Sequence, residues 1–264
     1  MLTERIWSGN SLRNFFYLIA DPDSGEALAV DPLDWRLVLD VAKQHGWTIK
    51  QILNTHEHGD HTGGNVGLKD ATGAKVLAHE GAAPKIGTGI DRGLKKGDVI
   101  KVGRVELECL DTPGHTMTHV CVLSHTDHPA LFCGDTLFNA GVGNCHNGGD
   151  PQVLYDTFAS QLARLPDATR VYPGHDYLSR NLEFTLDREP SNKAATEFLV
   201  EAKAHQAAEA PVTTLGEEKR FNTFLRLQMG ASSQPVTAVR EVPASALPLH
   251  GPPLATQLQI MFLD

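Results

Sequence analysis

The chain has 264 residues, 41% of them apolar and 21% charged, with a mean hydropathy of -0.22. This is ordinary globular usage, enough for one layered α/β domain with a smaller C-terminal addition, and it excludes disordered, collagen-like and membrane-embedded chains. The formal net charge of -9, from 32 acidic and 23 basic residues, offers no basic field to a phosphate backbone, so nucleic acid is excluded as the expected partner.

In chain order, the first strongly apolar run, Asn14 to Ala20, stops at Asp21-Pro22. It is too short to span a membrane, and Glu4 ahead of it speaks against a secretory leader, so no membrane partner and a cytoplasmic location are expected. Further strands are predicted at Ala27 to Val30, Ile49 to Leu53, Lys75 to His79, Val105 to Leu110, Val120 to Ser124, Ala130 to Cys133 and Arg170 to Tyr172, each a short apolar run bounded by turn residues. Helical spacing places Trp35, Val38, Leu39 and Ala42 on one face, and Leu154, Phe158, Leu162 and Leu165 on another. After Tyr177 the pattern turns helical, with helices predicted over Ala194 to Ala208 and Glu217 to Leu227. Pro235, Pro243, Pro248, Pro252 and Pro253 then exclude a long helix near the end. Cys109, Cys121 and Cys133 sit in apolar runs and are expected to be buried thiols, whereas Cys145, in a Gly/Asn-rich loop, is expected to be exposed; no disulfide is predicted.

Chemistry concentrates where strands end. Thr55-His56-Glu57-His58-Gly59-Asp60-His61 follows the strand ending at Leu53. In extended chain His56 and His58 project to the same side, as two ligands of one ion require. Asp60 and His61 lie past a glycine at an expected helix start, where they can face a second ion. So many imidazoles and carboxylates in a folded pocket are costly unless a cation compensates them. Three further strand ends carry one candidate each: His115 in Asp111-Thr-Pro-Gly-His-Thr116, Asp135 in Cys133-Gly-Asp-Thr136, and His175 in Tyr172-Pro-Gly-His-Asp176. Together they make a full ligand count for two ions.

These residues, in this order, resemble the metallo-β-lactamase superfamily and in particular its glyoxalase II (hydroxyacylglutathione hydrolase) branch, over roughly residues 1 to 230. The resemblance extends to Thr62-Gly-Gly-Asn65, Gly134-Asp-Thr-Leu-Phe138, Pro173-Gly-His-Asp-Tyr177, Asn181-Leu-Glu-Phe184 and Glu189-Pro-Ser-Asn192. It implies an αββα sandwich, with a catalytic domain over residues 1–176 and a helical substrate-binding region with an irregular tail over 177–264. It implies that His56, His58 and His115 hold one metal, that Asp60, His61 and His175 hold the other, and that Asp135 bridges them. Two divalent ions, with zinc the first choice and iron or manganese admissible, would activate a water that attacks a thioester carbon. Asp60 and Asp135 are thus the expected catalytic carboxylates. The implied reaction is hydrolysis of S-D-lactoylglutathione, or a related 2-hydroxyacyl thioester, to the hydroxy acid and free thiol.

The chain departs from that branch in the loop Asn139 to Gly149, where Asn144 and His146 stand in place of a lysine and a tyrosine that grip glutathione; Tyr177 does match a family contact. Basic residues near the C-terminus are also replaced, since Val239-Arg240 is followed by Glu241-Val-Pro-Ala244. The alternatives are therefore a lactonase or a thioesterase for another carrier, then a persulfide dioxygenase or a non-catalytic metal-binding protein. Asp135 weighs against a β-lactamase, and Val142-Gly-Asn-Cys145 does not match the arginine-bearing loop of a dioxygenase.

Overall fold

The computed structural model describes residues 1–228. The proline-rich end and the segment Val239 to Ala244 lie outside them.

The first sheet is built from β1 (Leu2–Trp7), β2 (Phe15–Ala20), β3 (Glu26–Val30), β4 (Thr48–Leu53), β5 (Lys75–His79) and β6 (Arg92–Leu94), in that spatial order. The second contains β7 (Val99–Val102), β8 (Val105–Asp111), β9 (Val120–Ser124), β10 (Ala130–Gly134) and β11 (Arg170–Pro173), ordered β11-β10-β9-β8-β7. Strand β2 shows why the sheets stack. Phe15, Tyr17 and Ile19 face Val122, Phe132 and Tyr172 across the inter-sheet core, while Phe16, Leu18 and Ala20 turn to the opposite face. With both faces covered the strand reads as an unbroken apolar run, as fully buried strands do.

Helices close both outer faces. Val38 and Ala42 of α1 (Trp35–Gln44), with Leu68 on the later helix α3 (Asn65–Thr72), cover the first sheet; the single turn α2 (Gly59–Thr62) lies between them. Leu154 and Phe158 of α4 (Pro151–Ser160) cover the second sheet. The helical region that follows comprises α5 (Leu178–Arg188), α6 (Lys193–Ala204), α7 (Leu215–Phe221) and α8 (Thr223–Gln228). This is the αββα sandwich expected from the resemblance.

Every predicted strand forms, to within a residue at either end. The three unpredicted strands, β1, β6 and β7, are all sheet edges. Edge strands are covered on fewer sides, so their apolar signal is diluted: β7 buries only Ile100 and Val102, and β1 only Ile6. The helix predicted through Leu165 stops at Ser160, with Leu162 in a following 3-10 turn. The helix predicted over Glu217 to Leu227 is broken at Asn222, whose side-chain amide instead donates to the Phe138 and Gly141 carbonyls. Cys145 is buried, contrary to expectation, because the loop folds back and packs it with the cluster that includes Leu137 and Leu154.

Candidate metal centre

Five strands deliver the site. β3, β4, β8, β10 and β11 end at Val30, Leu53, Asp111, Gly134 and Pro173, just before Asp31, His56, His115, Asp135 and His175. At this end the sheets are sewn together by backbone, Phe15 N–H donating to Gly174 O at 2.8 Å and Val120 N–H to Thr55 O at 2.8 Å. Side chains from both sheets therefore reach one point.

All seven sequence-predicted ligands are brought together. His56 Nε2 lies 3.0 Å from His58 Nδ1, and His115 Nε2 lies 3.1 Å from the same atom. Beside this triad, His61 Nε2 and His175 Nε2 are 3.2 Å apart, and Asp60 Oδ2 is 3.5 Å from the first and 3.3 Å from the second. Asp135 sits between the groups. Its Oδ1 is 3.4 Å from His61, and its Oδ2 is 3.3 Å from His175 and 3.6 Å from His115.

Each imidazole has its outer nitrogen occupied. His61 Nδ1 donates to Asp31 Oδ2 at 3.0 Å, His175 Nδ1 to Leu12 O at 2.7 Å, His58 Nε2 to Asn147 O at 3.1 Å, and His115 Nδ1 to Asn144 O. His56 Nδ1 donates to Thr55 Oγ1 at 3.1 Å, and that hydroxyl passes its own proton to Asp31 at 2.7 Å. These partners orient the rings so that all five inner nitrogens converge on one another.

The donor set fits divalent cations. Ring nitrogens packed at 3.0–3.2 Å need a proton or a cation between them, and a divalent ion can serve several at once. Asp135 Oδ1 is buried without a hydrogen-bond partner among the described residues. Two glycines leave the room required: a Cβ on Gly174 would fall 2.4 Å from Asp135 Oδ1, and one on Gly143 would fall 2.7 Å from His115 Nδ1. Three groups of side chains converge closely enough to share an ion, namely His56/His58/His115, His56/His61/Asp135 and Asp60/His61/His175.

Titration follows from the same geometry. Burial would strip the proton from His175, but Asp135 and Asp60 more than offset it and raise its pKa to about 9. His61 is raised in the same way, against burial, by Asp135 and Asp31. Burial opposes the charge on Asp135, yet His175 and His61 hold its carboxyl well below the usual range. The protons on His61 and His175 are those a cation would displace.

Some contributors left no mark in the sequence reading. Asp31 ends β3 in a left-handed conformation (φ 52°), in Val30-Asp31-Pro32, which repeats the strand-then-acid pattern of the ligands. His119 is fully buried. It accepts from Asp135 N–H at 3.2 Å and stacks on His56 with centroids 5.0 Å apart, and burial pushes its pKa well down. Asn14 Nδ2 donates to Asp60 Oδ2 at 3.1 Å. Glu57, inside the motif, pairs with Lys85; burial opposes its charge, but hydrogen bonds from Lys85, Thr118 and Thr116 bring its pKa down to about 2.

The three residues predicted to contact substrate line one cleft beside the metal centre. Asn144, His146 and Tyr177 share with Phe138, Arg180 and Phe184 a cavity of about 640 Å³. Asn144 and His146 are exposed at its rim, where Asn144 Oδ1 accepts from His146 N–H at 3.1 Å. Tyr177 does more than line it: its ring stacks on His175 and its hydroxyl donates to Leu12 O at 2.9 Å.

Comparison with known proteins agrees with this geometry. Residues 13–175 match the Metallo-beta-lactamase superfamily, and residues 176–247 match the Hydroxyacylglutathione hydrolase C-terminus. The hydroxyacylglutathione hydrolase of Polaromonas sp. strain JS666 is 64% identical over 228 residues, covering 86% of either chain. Among solved structures, ETHE1 from Myxococcus xanthus superposes with a TM-score of 0.66 at 26% identity, covering 88% of this chain and 92% of its own. TTHA1623 in a di-iron-bound form superposes with a TM-score of 0.59 at 28% identity, covering 84% and 99%.

Proposed function

Because the chain belongs to the hydroxyacylglutathione hydrolase family of the metallo-beta-lactamase superfamily, and is thereby a metal-dependent hydrolase, we propose that it hydrolyses a 2-hydroxyacyl thioester. S-D-lactoylglutathione is the first candidate. The observation that carries the reading is the convergence of five inner imidazole nitrogens around the buried Asp135 carboxylate. In this reading His56, His58 and His115 hold one divalent ion, Asp60, His61 and His175 the other, and Asp135 both. Zinc is assigned first, although mixed imidazole and carboxylate ligands also accept iron, and the relative TTHA1623 was solved with two irons.

Two bound cations supply Lewis-acid polarisation of the thioester carbonyl and a water acidified towards a pKa of about 7. The protein's own groups do the rest. Asp60, its side chain 25% exposed, is the carboxylate open towards solvent, and Asn14 holds it in place to accept a hydrogen bond from the attacking water. Asp31, Leu12 O, Asn144 O and Asn147 O keep the rings from turning. A thiolate leaves readily, so no strong general acid is required. Residues 1–176 act as the catalytic domain in this reading, and the region from 177 onward contributes Tyr177 and α5 to the substrate cleft.

One observation favours a second reading. Asn144, which stands where the resemblance expects a lysine, spends its side-chain oxygen on the turn at His146, and the cations lining this cleft are the guanidinium groups of Arg180 and Arg188. A thioesterase acting on another carrier fits that rim equally well. A panel of glutathione and non-glutathione thioesters, run beside a lactone and a β-lactam, tests both: turnover of the glutathione thioester supports the first reading, and turnover of other thioesters alone supports the second. A panel inert to every thioester beside an active lactone overturns both. No described helix is long and apolar enough to cross a membrane.

A further inference from the structure

Glu57 lies between two expected ligands, yet its side chain turns away from the metal centre and is only 9% exposed. Its Oε2 accepts from Thr116 Oγ1 at 3.0 Å and from Thr118 Oγ1 at 2.7 Å, while Oε1 takes Lys85 Nζ at 2.6 Å. Thr116 directly follows His115, and Thr118 directly precedes His119. One carboxylate therefore fastens the turn that carries His56 and His58 to the loop that carries the third member of their triad. The loop has a second attachment at the other side of the ring, where His115 Nδ1 donates to Asn144 O.

The metal-facing atoms of this triad come from two segments 57 residues apart in sequence, which meet at 3.1 Å between His58 and His115. Apart from the contacts between the imidazole rings themselves, Glu57 supplies the side-chain hydrogen bonds from the motif to the His115 loop among the described residues: Thr62 Oγ1 returns to His58 O, and Asn54 reaches the His61 carbonyl and Asn65. We propose that Glu57 is a positioning residue for the three-histidine subsite, holding the His115 loop at the separation at which the three rings can share one ion. The proposal rests on the two-metal reading given above. Glu57 touches neither the reacting atoms nor the ion, and it acts through Thr116 and Thr118 on His115. Lys85 supplies the countercharge that permits a carboxylate at so enclosed a position.

The test uses the purified full-length chain with zinc as the probe, titrated against a competing chelator. Glu57→Ala is expected to weaken one of two bound zinc ions about tenfold or more, the scale on which partners behind metal ligands act. Glu57→Gln, which keeps an oxygen for Thr118, should recover most of that affinity. In a His175→Ala background, where the three-histidine subsite is the one left intact, the whole loss should persist. The control is Ile49→Val, a core change far from the loop, which lowers thermal stability and leaves zinc affinity in place. Wild-type affinity in Glu57→Ala, or an equal loss in the control, overturns the proposal. If the unaltered chain binds two zinc ions and hydrolyses thioesters while Glu57→Ala binds zinc as tightly, the positioning role alone fails. If the unaltered chain binds no zinc, the two-metal reading fails with it.

Discussion

Asp31 Oδ2 accepts the Nδ1 proton of His61 at 3.0 Å, and the opposite ring nitrogen is thereby turned into the metal centre. The same oxygen takes the Thr55 hydroxyl at 2.7 Å, and Oδ1 takes Thr55 N–H at 2.8 Å. Buried Asp31 thus orients two candidate ligands, His61 directly and His56 through Thr55.

Asp31→Asn tests this at nearly constant shape. Whichever way the amide is placed, its NH2 meets a donor, Thr55 N–H on one side or His61 Nδ1–H on the other. Metal affinity should fall about 10- to 100-fold, with thioester hydrolysis falling alongside it. Unchanged zinc affinity in a competition titration would show that the ring is oriented by something else.

Asp135→Ala removes the carboxylate between the two histidine groups. Elemental analysis should drop from close to two ions per chain to one or fewer, and turnover should fall about a thousandfold. Two retained ions with intact turnover would contradict the bridging role.

Gly174 carries no unusual φ, so Gly174→Ala introduces no backbone strain of the left-handed kind. Its Cβ would instead stand 2.4 Å from Asp135 Oδ1 and 2.8 Å from His61 Cε1. The variant should fold, with a far-ultraviolet circular dichroism spectrum like the parent's, and lose at least about tenfold in metal affinity. Full affinity would mean that the site has slack the structure does not show.

Glu218 on α7 is fully buried. It accepts from Thr213 Oγ1 at 2.6 Å, Ala140 N–H at 2.8 Å, Asn222 Nδ2 at 3.0 Å and Asn139 Nδ2 at 3.2 Å. Burial raises its pKa above 4.5, with these hydrogen bonds opposing the rise. The folded state therefore binds this proton more tightly than the unfolded state. Its contribution is fully present below about pH 4.5 and declines as pH rises through the raised folded value. Chemical denaturation of wild type and Glu218→Gln across that window should show the wild-type advantage shrinking with rising pH; a growing advantage would reverse the sign and refute it.

The ligand set and most strands were legible because both are local. His56, His58, Asp60 and His61 are four candidate ligands within six residues, and the strands that deliver His115, Asp135 and His175 announce themselves as short apolar runs ending in glycine turns. Such patterns are written in adjacent residues and in side-chain chemistry, and need no knowledge of what packs against them. They pointed to the sandwich, to seven candidate ligands that the fold brings together, and to the family.

Tertiary structure alone decided what stands behind the ligands. His175 is oriented by the carbonyl of Leu12, 163 positions away, and His115 by the carbonyl of Asn144. Every residue has a carbonyl, so no residue type betrays that role. The burial of Cys145, the break at Asn222 and the turning inward of Glu57 likewise depend on distant segments meeting. The edge strands β1, β6 and β7 escaped notice for the complementary reason, since a strand partly covered carries only part of the apolar pattern. Local chemistry chose which atoms can bind metal, and long-range packing decided where each ring points.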